Sequence, residues 1–152
     1  MKRFLLPLAI VSLIFTVSCS RLSVTPPEGF AELKEDRSTY RAVSPEGMLY
    51  RIRTVKNKPQ KDLKFWSEAL ENHLAKEGYR LNGDPRPFQN GSWAGLSFEW
   101  VLPYGNDSYL YLTALIVSDK TITLAEATAP YSVFIRYRQP LLDSLASIQP
   151  LR

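Results

Sequence analysis

Apolar and polar positions alternate along the middle of the chain. Met48, Tyr50 and Ile52 alternate with Arg51 and Arg53. A period of two predicts a β-strand whose successive side chains point to opposite faces. The sequence therefore predicts a strand over residues 48–55 with one apolar face and one basic face.

Other apolar runs predict further strands around this one. Residues 40–43 precede the turn-forming sequence Ser-Pro-Glu-Gly, so they form a hairpin with residues 48–55. A second hairpin is predicted from residues 92–102 and 109–118. Its second strand is apolar on both faces, which is typical of a central strand covered on both sides. We also expect short strands at 30–36 and 79–81, a loop at 82–87, and a strand at 121–127 after a tight turn.

Two segments have helical spacing instead. The first has Pro59 in its first turn and stops at Gly78, which supplies the usual left-handed residue. The second starts near Pro130 and is expected to kink at Pro140, which removes a backbone hydrogen bond. Apolar residues recur every three or four positions in both. The first stripe is Leu63, Trp66, Leu70 and Leu74, and the second is Phe134, Tyr137, Leu141, Leu145 and Ile148.

The N-terminus has the pattern of an export signal. Lys2 and Arg3 precede an almost wholly apolar run at residues 4–17, too short for a spanning helix of roughly 20 residues. The sequence Thr-Val-Ser-Cys that ends at Cys19 resembles a lipobox, where a bacterial lipoprotein precursor is acylated and cut. Cys19 is the only cysteine, so disulfides do not explain it. An ordinary secretory signal and an uncleaved anchor are the alternatives.

These features predict the domain organisation and the location. Residues 1–18 are a lipoprotein signal peptide, 19–29 a flexible tether rich in Ser, Thr, Pro and Gly, and 30–149 a single α+β domain. The lipid on Cys19 would hold the protein at a membrane of the bacterial cell envelope. Because Ser20 rather than Asp follows the cysteine, we expect the outer membrane, with the domain facing the periplasm.

The charge gives no case for nucleic-acid binding. The chain has 19 Lys and Arg and 15 Asp and Glu. Two of the basic residues lie in the leader, so the remainder carries 17 against 15, a net charge of +2. A nearly neutral exported domain lacks the basic footprint of a nucleic-acid-binding protein.

Catalytic and metal-binding patterns are missing from the sequence. His73 is the only histidine, and no nucleophile or orienting partner can be assigned to it. One histidine and one lipid-committed cysteine exclude the usual zinc clusters. Asp84, Asp107 and Asp119 lie in separate turns without calcium-loop spacing, and no glycine-rich phosphate-binding loop occurs. We therefore expect no enzyme, no cofactor and no metal site.

Two sets of residues could bind a partner or a ligand. Strand alternation predicts a basic face formed by Arg51 and Arg53, with Tyr40 on the same face of the neighbouring strand. Such a face suits an acidic partner or a lipid headgroup, although a solvated or helix-covered face is the plainer interpretation. Aromatic residues of the second hairpin could instead line an apolar pocket, or simply pack in the core. The pocket candidates are Trp93, Trp100, Tyr109 and Tyr111.

The order of elements resembles the PsbP-like/DcrB-like family of small exported lipoproteins. The resemblance is carried by the hairpin at 40–55, the helix around Phe65 and Trp66, the strand at 95–100 and the strand at 121–127. It implies an α/β/α sandwich, in which an antiparallel sheet lies between two main helices. It also implies a non-enzymatic accessory or assembly module in the envelope, with a protein partner of unknown identity. A carrier or sensor for a lipid or other small apolar ligand is the alternative.

Overall fold

The structure, a computed structural model, describes residues 22–33, 39–105 and 107–149, with only the backbone of Pro103 and Tyr104. Cys19 and the predicted signal peptide lie outside the described residues. Eight strands and two helices follow one another along the chain. They are β1 (Ala31–Leu33), β2 (Thr39–Val43), β3 (Leu49–Lys56), α1 (Leu63–Lys76), β4 (Arg80–Leu81), β5 (Arg86–Asn90), β6 (Trp93–Tyr104), β7 (Asp107–Val117), β8 (Thr121–Pro130) and α2 (Tyr131–Ser147).

All eight strands form one antiparallel sheet, which confirms the predicted α+β class. The strand order is β1-β2-β3-β8-β7-β6-β4, and β5 pairs with the first half of β6. The strand that is apolar on both faces, β7, lies in the interior of the sheet between β6 and β8. It contacts both α1 and α2, as expected for a strand covered on both sides.

The helices pack against different side-chain rows of the sheet. Residues 110, 112, 114 and 116 of β7 belong to the cluster that contains Phe134, Leu141 and Leu145 of α2. The residues of β7 between them alternate to the other face, where Leu74 of α1 packs with Phe98 and Trp100. We call these the α2 face and the α1 face.

Helix α1 starts later than Pro59, because residues 57–61 are held as a loop. The buried Asn57 side chain donates to the carbonyls of Lys61 and Ser118 and accepts from the Trp66 indole, each at 2.8 Å. Asp62 then caps the helix, its carboxylate accepting from the Phe65 amide at 2.9 Å. At the other end the predicted stop is confirmed: Gly78 has a φ of 89°.

Strand β5 includes the last two residues, 86 and 87, of the predicted loop at 82–87. Pro87 lies within it, opposite Leu96. Proline is tolerated here because β5 pairs on one side only and needs no amide donor on the other. The Phe88 ring crosses Gly95 so closely that a Cβ at residue 95 would clash with it.

The described part of the predicted tether is packed rather than free. The backbones of Ser23 and Gln149 bond to each other in both directions, at 3.3 and 2.8 Å. The Thr25 amide donates to the Ser147 hydroxyl at 2.8 Å, and the Thr25 carbonyl accepts from Ser144 at 2.7 Å. Leu22 and Val24 pack against the core cluster of α2. The linker was predicted from composition alone. The apolar residues at 22 and 24 indicate packing against the domain, and the prediction did not use them.

Candidate interaction surface

Half of the α1 face is left without a helix in the described structure. Helix α1 contacts β4, β6 and β7, whereas neither described helix contacts this side of β1, β2 and β3. We call this surface the open face. By strand alternation and register, its side chains include those of Leu33, Arg41, Leu49, Arg51, Arg53, Val55 and Glu126.

Strand register brings three of the four charged residues of the open face into one row, and Arg53 lies in the next row. Leu33 pairs with Arg41, Arg41 with Arg51, and Arg51 with Glu126. Directly opposed side chains on one face have Cβ atoms about 4.5–5.5 Å apart, so each can contact the next. Arg41 and Arg51 are neighbours in this row, and their positive charges repel each other. Glu126, on the other side of Arg51, supplies a negative charge.

Glu126 is the centre of this cluster. Arg51 Nη2 donates to its Oε2 at 2.8 Å, and Arg53 Nε lies 3.6 Å from the same oxygen. The Tyr111 hydroxyl donates to Oε1 at 2.7 Å. The Glu126 side chain is only 14% exposed, whereas those of Arg51 and Arg53 are 38% and 47% exposed. One carboxylate therefore serves two guanidinium groups, and the excess positive charge lies towards solvent.

Tyr111 connects the open face to the part that α1 covers. Burial raises the pKa of Tyr111 well above its ordinary value, and the hydrogen bond to the Glu126 carboxylate raises that pKa further. The tyrosine is therefore a neutral donor at physiological pH. Its ring lies 5.5 Å from that of Tyr79, so it is fixed on one side by packing and on the other by a charge-assisted hydrogen bond.

Apolar side chains flank the arginines. Leu33, Leu49 and Val55 are 40%, 41% and 48% exposed. Arginine together with exposed aliphatic groups is typical of a protein-binding surface, since arginine is enriched in interfaces and lysine is depleted. The open face therefore combines charged groups with exposed apolar area.

The prediction that Tyr40 shares this face is wrong. Antiparallel register pairs Tyr40 with Ile52 and Arg41 with Arg51, so Tyr40 points to the α2 face. It is only 8% exposed there, and burial raises its pKa to about 12. Alternation within each strand is visible in the sequence, but the pairing register between the strands decides which residue of β2 lies beside the arginines.

The four predicted pocket residues do not lie together either. Trp93 packs against the α2-face cluster, whereas Trp100 belongs to the α1-face cluster. Tyr109 and Tyr111 alternate to the α1 face with Trp100. The Trp100 ring is buried, donates from Nε1 to the Thr113 hydroxyl at 2.9 Å, and stacks on Phe98 at 5.7 Å between ring centroids. Core packing accounts for Trp100.

Two open grooves lie at one end of the sheet, outside the space between sheet and helices. One of about 620 Å³ is lined by Trp93, Leu63, Val117 and Lys120, among others. The other, of about 420 Å³, adjoins it and shares Leu63 and Val117. Of the predicted pocket residues, Trp93 lines the larger of these two grooves. Both grooves are open to solvent and have charged residues in their lining, among them Lys61, Asp62, Asp119 and Lys120, unlike an enclosed apolar ligand pocket.

The sequence did not predict a second cluster of ion pairs, which lies on the α2 face. Glu99 is buried between strand and helix, with its Oε1 at 3.0 Å from Arg138 Nε and 3.8 Å from Arg86 Nη1. Asn82 Nδ2 lies 3.4 Å from the other carboxylate oxygen. The sequence signal for this cluster is Glu99 itself, a charged residue between Phe98 and Trp100 in a strand. Its partners, Arg86 and Arg138, lie in other elements, so the sequence does not identify them. This cluster ties α2 to the edge of the sheet.

The described residues contain no group of three His, Cys, Asp or Glu side chains that could hold a metal ion. His73 is exposed on α1. Within the same residues, neither helix is long and apolar enough to cross a membrane.

Sequence comparison with known proteins finds no relative. No protein-family model and no curated protein matches the chain. Similarity is therefore visible only in three dimensions, and it informs the fold alone.

Solved structures with a similar fold come from several bacteria. LpqN of Mycobacterium tuberculosis, involved in cell envelope biogenesis, superposes with a TM-score of 0.64 at 13% identity, over 85% of this chain and 83% of LpqN. PA94 of Pseudomonas aeruginosa, a protein of unknown function, gives 0.62 at 9% identity over 87% and 99% of the two chains. Cyanobacterial PsbP (CyanoP) of Synechocystis gives 0.57 at 7% identity over 88% and 95%. The chain thus has a PsbP-like fold, which confirms the fold resemblance found in the sequence.

Proposed function

We propose that this protein is a lipid-anchored accessory module of the bacterial cell envelope that docks a protein partner on its open face. The observation that carries the proposal is the Glu126 cluster, in which two half-exposed arginines share one carboxylate among exposed apolar side chains. A partner carboxylate could bind the arginines from the solvent side, and Leu49 or Val55 could contact apolar groups beside it. The complementary partner is therefore acidic with an apolar surround.

The envelope location is part of the same proposal. It is supported by the lipobox-like sequence before Cys19 and by the fold shared with LpqN, which is involved in cell envelope biogenesis. A lipid on Cys19, the outer membrane and a periplasmic domain complete it. We also propose the finer description of the fold as a PsbP-like α/β/α sandwich, supported by the packing of α1 and α2 against opposite rows of β7.

An interaction module is favoured over a carrier of an apolar ligand and over an enzyme. A carrier of an apolar ligand needs an enclosed cavity between sheet and helix. Instead, Phe134, Leu141 and Leu145 fill the α2 side, while Trp100 and Phe98 pack under α1. The charged clusters around Glu126 and Glu99 consist of ion pairs, and neither includes a nucleophile with an adjacent base.

The anchor is tested by intact-mass analysis of the membrane fraction. We expect a chain that begins at Cys19 with added acyl mass, and an unprocessed precursor for Cys19→Ala. A water-soluble mature chain with a free Cys19 thiol would contradict the anchor without touching the interaction surface.

The interaction surface is tested by photo-crosslinking in intact cells. A photoreactive phenylalanine analogue replaces Leu49 or, as a matched control, Ile135, which is equally exposed but lies on α2. We expect a discrete crosslinked protein from position 49 that position 135 does not give. Equal crosslinking from both positions would contradict docking on the open face.

A further inference from the structure

The described chain begins beside the C-terminal end of α2. Ser23 and Gln149 are joined by two backbone hydrogen bonds, and Leu22 packs against the core. Cys19 is three residues before Leu22, and three residues span at most about 11 Å of chain. A lipid on Cys19 would therefore hold this end of the domain within about 11 Å of the attachment point, without a long spacer.

Several turns meet at the same end of the sheet. Asn90 Nδ2 donates to the Ile148 carbonyl at 2.9 Å, which joins the β5–β6 turn to the end of α2. Trp93 and Lys120 line one groove, which places the β7–β8 turn next to the β5–β6 turn. The Asn57 amide donates to the Lys120 carbonyl at 2.9 Å, so the loop before α1 lies there too. We call residues 22–23, 56–64, 89–94, 117–121 and 147–149 the lysine-rich end.

The two ends of the domain differ in charge. The lysine-rich end has five lysines against two aspartates, and no arginine or glutamate. The described residues of the opposite end, 27–30, 43–48, 76–80, 102–109 and 130–136, have three basic against four acidic side chains. The lysines of the lysine-rich end are Lys56, Lys58, Lys61, Lys64 and Lys120, and all are exposed.

The composition of the lysine-rich end suits a bilayer surface better than a protein surface. Lysine is depleted in protein interfaces, but it binds anionic lipid headgroups while its aliphatic stem remains near the apolar boundary. The half-buried Trp93 lines the same groove as Lys120. Tryptophan is enriched at the level of the headgroups, where its ring is amphipathic.

We propose that the lysine-rich end of the domain faces the bilayer that holds the Cys19 lipid and binds its anionic headgroups. This orientation rests on the lipid anchor of the proposed function. In this orientation the strands of the sheet run away from the membrane surface. The open face is then turned sideways, where a partner can reach Arg51 and Arg53.

Amine footprinting of the full-length lipidated protein tests this orientation. The protein is reconstituted into vesicles of phosphatidylcholine, with or without phosphatidylglycerol, and acetylated briefly. Peptide mass spectrometry then gives the reactivity of each lysine. We expect Lys58, Lys61 and Lys120 to react about fivefold more slowly on the anionic vesicles. This factor corresponds to the attraction of about 1 kcal/mol between one lysine and an anionic membrane surface. Lys76 at the opposite end is the internal control and should not change.

A pair of charge variants sharpens the test. Lys58→Gln with Lys120→Gln should reduce the protection of Lys61, whereas Lys76→Gln with Arg80→Gln should leave it intact. High salt should weaken the protection in the native protein, because headgroup attraction is screened. Protection that is insensitive to salt, to phosphatidylglycerol and to the first pair of substitutions would overturn the headgroup contact.

Flotation of the same vesicles separates this inference from the anchor itself. Lipidated protein that floats with the vesicles while Lys120 reacts as fast as Lys76 would overturn the orientation and leave the anchor standing. Protein that carries no acyl mass and stays out of the vesicle fraction would overturn the anchor, and the orientation with it.

Discussion

The two faces of the sheet are built from the same strands but differ in their side chains and in how much of each face a helix covers. On the α2 face the strands contribute alanines, at 42, 114, 125, 127 and 129, and all of them are buried. These small side chains let α2 and the segment 22–30 pack closely. On the α1 face the shorter helix covers only β4, β6 and β7, and arginines occupy the remaining rows. The α2 face therefore contributes most of the buried apolar contacts, whereas the α1 face leaves charged and apolar side chains exposed, the surface that we propose binds a partner.

The largest effect is expected on the covered face. Phe134 is fully buried at the centre of the α2 cluster. Phe134→Ala should lower the free energy of unfolding by about 3–5 kcal/mol, since it removes apolar contacts and leaves a cavity. Denaturant melts measure this. The neighbouring Ile135→Ala is the control and should change stability by about 0.5 kcal/mol or less. A small effect at Phe134 would mean that α2 is not the main cover of the sheet.

An intermediate effect is expected at Glu126. Glu126→Gln keeps the size of the side chain but removes the charge that Arg51 and Arg53 share and that accepts the Tyr111 hydroxyl. The loss should be about 1.5–3 kcal/mol, the range for a hydrogen bond to a charged group. Thermal melts of this variant and of the exposed control Glu68→Gln give the comparison. Equal melts would remove Glu126 from the organisation of the open face.

A small effect on stability is expected at the arginines themselves. Arg51→Ser with Arg53→Ser removes half-exposed ion pairs, which contribute only about 0–1 kcal/mol each. Lys76→Ser with Arg80→Ser is the matched pair outside the open face. If melts of the Arg51 and Arg53 pair collapse while those of the control pair do not, the arginines are structural and the open face is not a free binding surface.

The smallest effect is expected at the rim of the covered face. The Tyr137 hydroxyl donates to Glu46 at 2.7 Å, and this hydrogen bond lowers the pKa of the Glu46 carboxyl from its ordinary 4.5. A lowered native pKa stabilises the fold above the unfolded pKa, and this stabilisation is lost as the pH falls through the native value. Tyr137→Phe should raise the pKa of Glu46 towards 4.5, as followed by NMR titration. An unchanged titration would exclude the hydrogen bond as the cause.

Much of this architecture was predictable from local pattern. The two-sided apolar sequence of β7 predicted a central strand, and the stripe from Leu63 to Leu74 predicted α1, because burial on a face leaves a period in the sequence. Strand β5 was missed because Pro87 argues for a loop unless the strand lies at an edge. The packing of residues 22–29 was missed because linker composition does not report long-range contacts.

The candidate site was predictable only in part, for a related reason. Alternation in β3 correctly separated Arg51 and Arg53 from Tyr50 and Ile52. Tyr40 was assigned to the wrong face because the register between β2 and β3 cannot be read from either strand alone. Glu126 was not predicted as the shared partner, since it lies 75 residues from Arg51 in the chain. Contacts of that range depend on the strand order, which places β3 beside β8.

The central claim, that the open face binds an acidic partner, is tested most directly by affinity capture at low and at high salt, without crosslinking, of the partner that photo-crosslinking at position 49 identifies. The native protein should retain the partner at low salt and lose much of it at high salt, because the attraction is screened. Arg51→Ser with Arg53→Ser should retain little under either condition, while Lys76→Ser with Arg80→Ser should behave as the native protein does. Equal retention by both pairs of variants, with unchanged melts, would contradict the claim.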